Sequence, residues 1–526
     1  MSSFAYNRRA RLVATVGRSP ALRHALVALF AVLLGLAGGA AVAFGPFWAA
    51  FVALAALACG YAMLVNTRVG LAAVFFLITV LPFGTLPFKA VVTPSFLELA
   101  LIALMAVWLL QLLSRPEEPL ILTPLGLALL GFLGLTLFSF LIGSNGSPDS
   151  LTLHNYFKFL LAVLFFFSVV NCVRTRDQAV WALRFIMIGG ALSALIGLIL
   201  YLMRDTAAQQ ILVAFGRIGY PTTGRVLRYV EDDPTGIERA IGLSVDPNSF
   251  GGMLALVGAL TATQAAAERP ALPRPLLVLM AAVMALTVLL TASRAAIGGL
   301  FVGTVYAAVL RYRKLLWPIV GMALLAALLY FGFGIGARFV DRFTQGAQFR
   351  DQANLMRLNE YRNAVEIIGR YPIFGIGFAQ APDIDLGAGV SSIYLALAER
   401  IGLVGLFGFL GIVVAFFIRG WRGLRVALAR ADLELAGWSI GLQAGITAAL
   451  AVGMLDHYFF NIEFSHMVAL FWGGIGLAVS LTNGQRPTAN DERDDTSVDG
   501  RRGMICRARS VVGSEEEQWF RKNQPR

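Results

Sequence analysis

The residues that could do chemistry are charged side chains placed at the ends of long apolar segments. Two of them are arginines, Arg239 and Arg294, and guanidinium groups bind phosphate oxygens in a bidentate geometry. A nearby carboxylate or imidazole can take a proton from a hydroxyl, and the candidates for this role are Glu399, Asp456 and His457. The combination suits a site where a sugar hydroxyl attacks and a diphosphate leaves.

Two more polar residues follow Arg239 in an Asp-Pro-Asn turn, and we include Asp246 and Asn248 among the candidate substrate-binding residues. Every candidate also has a structural interpretation. Arg294 could anchor a helix by extending to lipid headgroups, and Asp246 could cap a helix. Ion pairs or interfacial hydrogen bonds would account for the others: Arg239 with Glu238 or Asp246, Glu399 with Arg400, and His457 at the membrane edge, as for His154 and Lys158.

The elements that must position these residues lie in a membrane. Of the 526 residues, 58% are hydrophobic and 14% are charged, whereas soluble domains carry about 25% charge. Runs long enough to cross a bilayer as helices recur along the whole chain. They fall at about residues 24–44, 46–66, 69–88, 95–113, 122–142, 153–173, 178–202, 248–267, 273–291, 295–311, 314–335, 396–418, 434–455 and 463–482. We therefore predict an all-α integral membrane protein with about fourteen transmembrane helices.

Charge orients these spans. Lys and Arg concentrate in alternate short connections and in the first 23 residues, which places both termini in the cytoplasm by the positive-inside rule. The same rule accounts for the net charge of +12, so no nucleic-acid partner is expected. The predicted parts are a basic arm (1–23), seven helices (24–202), a periplasmic loop (203–247), four helices (248–335), a large periplasmic loop or lid (336–395), three helices (396–482) and a disordered cytoplasmic tail (483–526).

The loop at 336–395 is too long and polar for a simple connector. Within it Leu355, Leu358, Val365 and Ile368 recur at helical spacing, with Arg362 on the same face. This pattern predicts a helix over about residues 351–368 that lies on the membrane surface or across the mouth of a cavity. The three cysteines lack metal or disulfide spacing, and no phosphate-binding glycine loop is present. We therefore expect no metal and no cofactor.

Several short motifs, taken in order, resemble the O-antigen ligase and Wzy-type polymerase superfamily of bacterial envelopes. They are Arg239-x-x-Gly with Asp246-Pro-Asn248, Ser293-Arg294, Arg357, Pro372-Ile-Phe-Gly375-Ile-Gly377, Tyr394-Leu395 and Ala398-Glu399-Arg-Ile-Gly402-Leu-Val-Gly405. The resemblance covers about residues 150–480. It implies transfer of a glycan from an undecaprenyl-diphosphate carrier to an acceptor hydroxyl at the periplasmic face of the bacterial inner membrane. It also implies that Arg239 and Arg294, with Arg357, hold the diphosphate, and that a flippase and a chain-length regulator are partners.

One departure from the family pattern affects the choice of reaction. Ligases of this family carry a His-Asn or similar pair just before the Tyr-Leu motif, whereas this chain has Ser391 and Ser392. A serine does not accept a proton at neutral pH as imidazole does. We therefore favour a polymerase of exopolysaccharide, capsule or O-antigen repeat units with Asp456, His457 or Glu399 as base. The alternatives are an O-antigen ligase, an inactive homologue, a flippase or transporter for lipid-linked oligosaccharide, and a structural envelope protein.

Overall fold

The computed structural model describes residues 60–63, 65–86, 93–114, 120–143, 148–222, 225–333, 352–378 and 389–483. The predicted basic arm, the first predicted span, nearly all of the second and almost the whole predicted tail lie outside the described residues. The helices are α1 Thr67–Val80, α2 Phe96–Ser114, α3 Pro124–Gly143, α4 Ser150–Cys172, α5 Arg176–Leu202, α6 Asp205–Ala214, α7 Pro247–Ala266, α8 Arg274–Leu290, α9 Arg294–Leu310, α10 Leu316–Phe333, α11 Gln352–Arg370, α12 Ile393–Ala429, α13 Leu433–Val452 and α14 Ser465–Asn483.

The all-α, multi-pass prediction is confirmed. Seven of the described helices, α3, α4, α5, α7, α12, α13 and α14, are long and apolar enough to cross a bilayer, and α1, α2, α8 and α9 are shorter apolar helices. Short polar residues start many of them, because a side-chain oxygen at the N-cap satisfies free backbone amides. Asp149, Thr175, Ser293 and Asp432 each cap a helix in this way. The count of fourteen spans stays a prediction.

Helix α12 is longer than the sequence analysis predicts. The part after the break at Gly402, residues 403–429, corresponds to about 40 Å at 1.5 Å per residue, which exceeds the roughly 30 Å of a hydrocarbon core. The predicted span at 396–418 lies within α12, and the basic segment after it, predicted as a connection, continues the helix to Ala429. The helix is also broken internally at Gly402, whose φ is 70° and ψ is −179°.

The core of the bundle is built around α7, which packs against α8, α9 and α13. Nearly all of its side chains are buried, as expected for a helix surrounded by other helices. A second, smaller core lies under the first predicted periplasmic loop. It is formed by Leu200, Ala208, Leu212, Tyr220, Val226, Leu227, Ile241 and Leu243. The 203–247 segment therefore carries a packed core with a short antiparallel pair, β1 Arg228–Tyr229 and β2 Glu238–Arg239.

Polar contacts divide between the two ends of the bundle. At one end Arg176 pairs with Asp432 and Arg311 pairs with Glu268, and Arg184 Nε donates to the Ala271 carbonyl at 2.7 Å. Because the helices alternate in direction, the connections at 203–246, 291–293 and 453–464 all lie at the other end. We call this the site end, since the candidate residues are found there.

Candidate functional site

Arg239 is fixed between two segments of the site end. Its Nε donates to the Thr291 carbonyl at 2.7 Å, and its Nη2 donates to Asn248 Oδ1 at 2.5 Å. The neighbouring Ala240 amide donates to the Leu290 carbonyl at 2.9 Å, so strand β2 lies along the connection between α8 and α9. These two contacts hold the guanidinium with a neutral amide and a carbonyl, and its charge also acts on the Asp456 carboxyl group.

The Asp-Pro-Asn turn provides the start of α7. Asp246 Oδ1 accepts from the backbone amides of Asn248 at 2.9 Å and Ser249 at 2.7 Å, so the capping interpretation of Asp246 holds in the structure. Tyr458 lies against both Asp246 and Asn248, and its burial together with the Asp246 carboxylate raises the pKa of its phenol well above the usual range. The turn thus connects Arg239 to the 453–464 connection.

Backbone strain marks the same region. Val245, next to Asp246, has a φ of 65°, and Ala292, next to Thr291, has a φ of 52°. Left-handed conformations are rare for residues other than glycine and are costly for a β-branched side chain. Strained residues of this kind cluster at functional sites, where surrounding contacts hold them. Here the two lie beside the segments that hold Arg239.

Arg294 is the first residue of α9 and is half-buried. Ser293 caps this helix, with its Oγ accepting from the Ala296 amide at 3.3 Å. The helix start lies three residues after Thr291, the acceptor of the Arg239 Nε hydrogen bond. The short α8–α9 connection therefore places Arg294 in the segment that also contacts Arg239, at a helix N-terminus, which favours anions.

Arg357 reaches the same region from α11. Its Nη2 lies 3.5 Å from Asp456 Oδ1, and the Asp456 side chain is 5% exposed. Burial raises the pKa of Asp456 to about 7; the Arg357 charge opposes this shift and the Asp246 charge adds to it. A carboxyl group with a pKa close to neutral pH can both accept and release a proton during a reaction.

Two consecutive residues of α11, Glu360 and Tyr361, hydrogen-bond to the neighbouring segments of the site. Glu360 Oε2 accepts from the Ser391 amide at 3.0 Å. The Tyr361 hydroxyl donates to the Ser391 carbonyl at 3.2 Å and is 3.3 Å from the Met454 carbonyl. Glu360 is also close enough to act electrostatically on Asp456 and His457. The helix therefore brings a cation and an acid to the same place.

The helix predicted over residues 351–368 is present as α11. The buried positions are Ala364 and Ile367, on the side that carries Arg357 and Glu360. Leu355 and Val365 from the predicted apolar face are 49% and 62% exposed. An outward apolar face is what a helix on a membrane surface would have, and that position stays a prediction.

The Pro-Ile-Phe-Gly-Ile-Gly turn docks into the break in α12 through backbone atoms. The amides of Leu403 and Val404 donate to the carbonyls of Pro372 and Ile373 at 2.8 and 3.4 Å, and those of Ile376 and Gly377 donate to the carbonyls of Glu399 and Arg400, both at 2.9 Å. We call this arrangement the backbone clasp. Two of the motifs that carry the family resemblance therefore bind each other directly.

Glu399 lies at the clasp and is buried. Its Oε1 accepts from the Gly389 amide at 2.9 Å and lies 3.5 Å from Arg400 Nε. Its Oε2 has no hydrogen-bond partner among the described residues. A buried carboxylate oxygen without a hydrogen-bond donor costs free energy. This oxygen of Glu399 can therefore accept a hydrogen bond from a group that the described part of the chain does not supply.

His457 stacks on Tyr458, with ring centroids 4.9 Å apart. Its Nδ1 is buried, and no described residue hydrogen-bonds to it. Burial lowers the pKa of this imidazole below its usual value, which keeps it neutral at physiological pH. All three candidate bases lie near Glu360 of α11, which acts electrostatically on Glu399, Asp456 and His457. Burial raises the pKa of Asp456 and lowers that of His457.

The structure brings most of the predicted residues together. Arg239, Asn248 and Asp246 connect through Tyr458 to the 453–464 connection, where Asp456 meets Arg357. Sequence reasoning missed Glu360, whose contact with Ser391 joins residues 31 positions apart. It also missed the buried pair of Glu98 and His154, whose Oε2 and Nε2 atoms are 2.9 Å apart. Neither contact produces a local pattern, although the Ser-x-x-Glu spacing at Ser95 was a readable capping signal.

Residues 279–410 match the family model described as O-antigen ligase. The match confirms the resemblance derived from the motifs. It includes Arg294, Arg357, the backbone clasp and Glu399, whereas Arg239, Asp246, Asn248, Asp456 and His457 lie outside it. No curated protein matches the chain.

Proposed function

From the match of residues 279–410 to the family model described as O-antigen ligase, we propose that this chain is a membrane glycosyltransferase acting on lipid-linked oligosaccharide. Its specific reaction is the polymerisation of undecaprenyl-diphosphate-linked repeat units into exopolysaccharide, capsule or O-antigen. The reaction takes place at the periplasmic face of the bacterial inner membrane, with both termini of the chain in the cytoplasm. A flippase supplies the repeat units, and a chain-length regulator is a further partner.

The observation that carries this proposal is the contact between Arg357 and Asp456 beneath α11. Asp456 is buried, and its pKa is about 7, while Arg357 is a permanent cation 3.5 Å away. Arg239, held on a carbonyl and an amide, acts electrostatically on the same carboxyl group. A proton acceptor and two phosphate-binding groups therefore lie together, as glycosyl transfer from a diphosphate requires.

The chemical step follows from these positions. The acceptor hydroxyl oxygen attacks the anomeric carbon, its proton passes to Asp456, and the bond between that carbon and the diphosphate oxygen breaks. Protonation removes the negative charge that pairs with Arg357, so the Arg357 charge becomes available to the leaving diphosphate. Arg239 and Arg294 bind the same group. Stabilising charge that develops on a leaving group lowers a barrier by several kcal/mol in a site that excludes water.

Ligation to another acceptor is the second candidate, because the matched family is described as O-antigen ligase. Polymerisation is favoured by Ser391 and Ser392, which stand where the ligases carry a histidine. In the structure the Ser391 backbone amide and carbonyl are taken by Glu360 and Tyr361, so this segment anchors α11. The base is assigned to Asp456 instead.

The test uses the purified full-length chain with a lipid-diphosphate-linked repeat unit as substrate. A ladder of products indicates polymerisation, a single transfer to a different acceptor indicates ligation, and the absence of any product with folded protein overturns both. Arg357→Met should lower the rate by about 10²- to 10³-fold. Arg362→Met is the matched control, because Arg362 is on the same helix but exposed, and it should keep the wild-type rate.

A further inference from the structure

A second polar cluster lies at the site end, where α2 and α4 begin. Glu98 Oε2 is 2.9 Å from His154 Nε2, and the two side chains are only 5% and 14% exposed. The other oxygen of Glu98 accepts from Ser95 Oγ at 2.8 Å and from the Ser95 amide at 3.1 Å. Glu98 thus completes a capping box with one oxygen and fixes an imidazole with the other.

Helix capping accounts for Ser95 and Glu98 but not for the histidine. With Nε2 on the Glu98 carboxylate, Nδ1 is the remaining polar atom of the His154 side chain. A carboxylate that holds one nitrogen of a histidine fixes the ring and its tautomer, so that the other nitrogen can contact a ligand.

Lys158 is one helical turn after His154 on α4 and is half-buried. Glu98 and Glu463 act on it electrostatically, yet within the described part of the chain no acid is within ion-pairing distance of its ammonium. An ammonium group removed from water needs compensation. Its position on the same face as His154 directs both groups to one side of the helix.

The cluster is continuous with the proposed active site. Glu463, in the 453–464 connection, acts electrostatically on Lys158 and also on Arg400, and Arg400 pairs with Glu399. The two sets of residues therefore lie at the same end of the bundle, with Glu463 within electrostatic reach of both.

The composition of the cluster indicates its ligand. The diphosphate site is rich in arginine, which suits an anion. Here two carboxylates, an imidazole and an ammonium provide a balanced set of donors and acceptors, which suits sugar hydroxyls because each hydroxyl both donates and accepts. We propose that Glu98, His154 and Lys158 form a subsite that binds hydroxyl groups of the acceptor glycan. This inference rests on the proposed glycosyl transfer, and it gives the acceptor glycan a binding site separate from that of the diphosphate.

The test separates the two sites with two probes. The first is the repeat-unit oligosaccharide released from its lipid by mild acid, and the second is undecaprenyl diphosphate without sugar. Binding of each to the full-length chain in detergent is measured by saturation-transfer NMR titration. His154→Gln and Lys158→Met should each weaken oligosaccharide binding at least about tenfold, as for loss of a charged or charge-assisted hydrogen bond, and should leave diphosphate binding within twofold. Arg357→Met should show the reverse.

Leu153→Ala is the control for changes to α4, because Leu153 is 51% exposed, and it should alter neither titration. Unchanged oligosaccharide binding in both variants, with or without a drop in thermal stability, would reduce the cluster to a helix cap and overturn the inference. So would a wild-type chain that forms polymer but does not bind the free oligosaccharide saturably. Failure of the proposed function looks different, since folded wild-type protein would then yield no product at all.

Discussion

The backbone clasp depends on a glycine that no other residue can replace without strain. Gly402 has a φ of 70° and a ψ of −179°, a combination essentially restricted to glycine. A Cβ at this position would lie 2.0 Å from the Ile373 carbonyl oxygen, 2.3 Å from its carbon and 2.5 Å from the Phe374 nitrogen. All three are backbone atoms, so no side-chain rotation can relieve the contact. Gly402→Ala must therefore separate the turn from α12.

The cost has two parts. This backbone conformation destabilises a residue other than glycine by about 1–3 kcal/mol. Separation also endangers the four hydrogen bonds of the clasp, each worth about 1 kcal/mol net. We expect a local destabilisation of up to about 5–7 kcal/mol, enough to open the turn under conditions where the helical bundle stays folded. Glu399 and Arg400 would then lose their backbone contacts with the turn, and glycosyl transfer should fail.

Limited proteolysis of the detergent-solubilised protein tests this directly, with cleavage after Arg370 or Tyr371 as the readout and polymer formation as the second measurement. Gly411→Ala is the matched control, because Gly411 lies in the same helix with no atom within 4 Å of an added Cβ. It should be neutral or gain up to about 1 kcal/mol from helix propensity. If Gly402→Ala resists protease like the wild type and keeps full activity, the clasp is not what holds the turn.

Three further outcomes follow from the contacts at the two ends of the bundle. Asp456→Asn should abolish transfer. Wild-type activity should rise with pH through about 7, because the ionised carboxylate is the base and burial raises the pKa of Asp456 to that value. The folded protein keeps the Asp456 proton at pH values where the unfolded chain has lost it, so this group should lower wild-type thermal stability as the pH rises from about 4 to 7, and the variant should not show this decrease. Arg294→Ala should eliminate polymer in a deletion strain at normal protein level, and normal polymer there would remove Arg294 from the site. Arg311→Gln breaks a half-exposed pair with Glu268; it should shift stability by less than about 1 kcal/mol and leave polymer unchanged.

The helices were predictable because membrane crossing imposes a simple rule on composition. Runs of about twenty apolar residues leave few alternatives to a spanning helix, and α3, α5 and α7 lie within a few residues of their predicted positions. The exception is α12, which continues beyond its predicted end because arginines are also good helix formers. Hydropathy detects where the apolar run ends, whereas the helix ends where a cap stops it.

The site was only partly predictable. Costly charges near membrane depth identified Arg239, Arg294 and Asp456 one by one, and the family resemblance added Arg357. Their contacts depend on which helix ends meet. The pairing of Glu98 with His154 spans 56 positions and has no periodicity to reveal it. The inner face of α11 could not be predicted for a related reason, because the contacts of the half-buried Arg357 and Glu360 come from distant segments rather than from an apolar stripe.

The joint between the turn and α12 is made of main-chain atoms, so it places almost no demand on the chemistry of the side chains around it. Ile373 is 58% exposed and can be exchanged, provided that Gly375, Gly377 and Gly402 keep their positive φ angles, whereas Phe374 also packs on Phe138. Proteins that share this backbone contact can therefore differ at most side chains of the segment, while the three glycines are kept at the same spacing. A search for distant relatives should weight that spacing above overall identity.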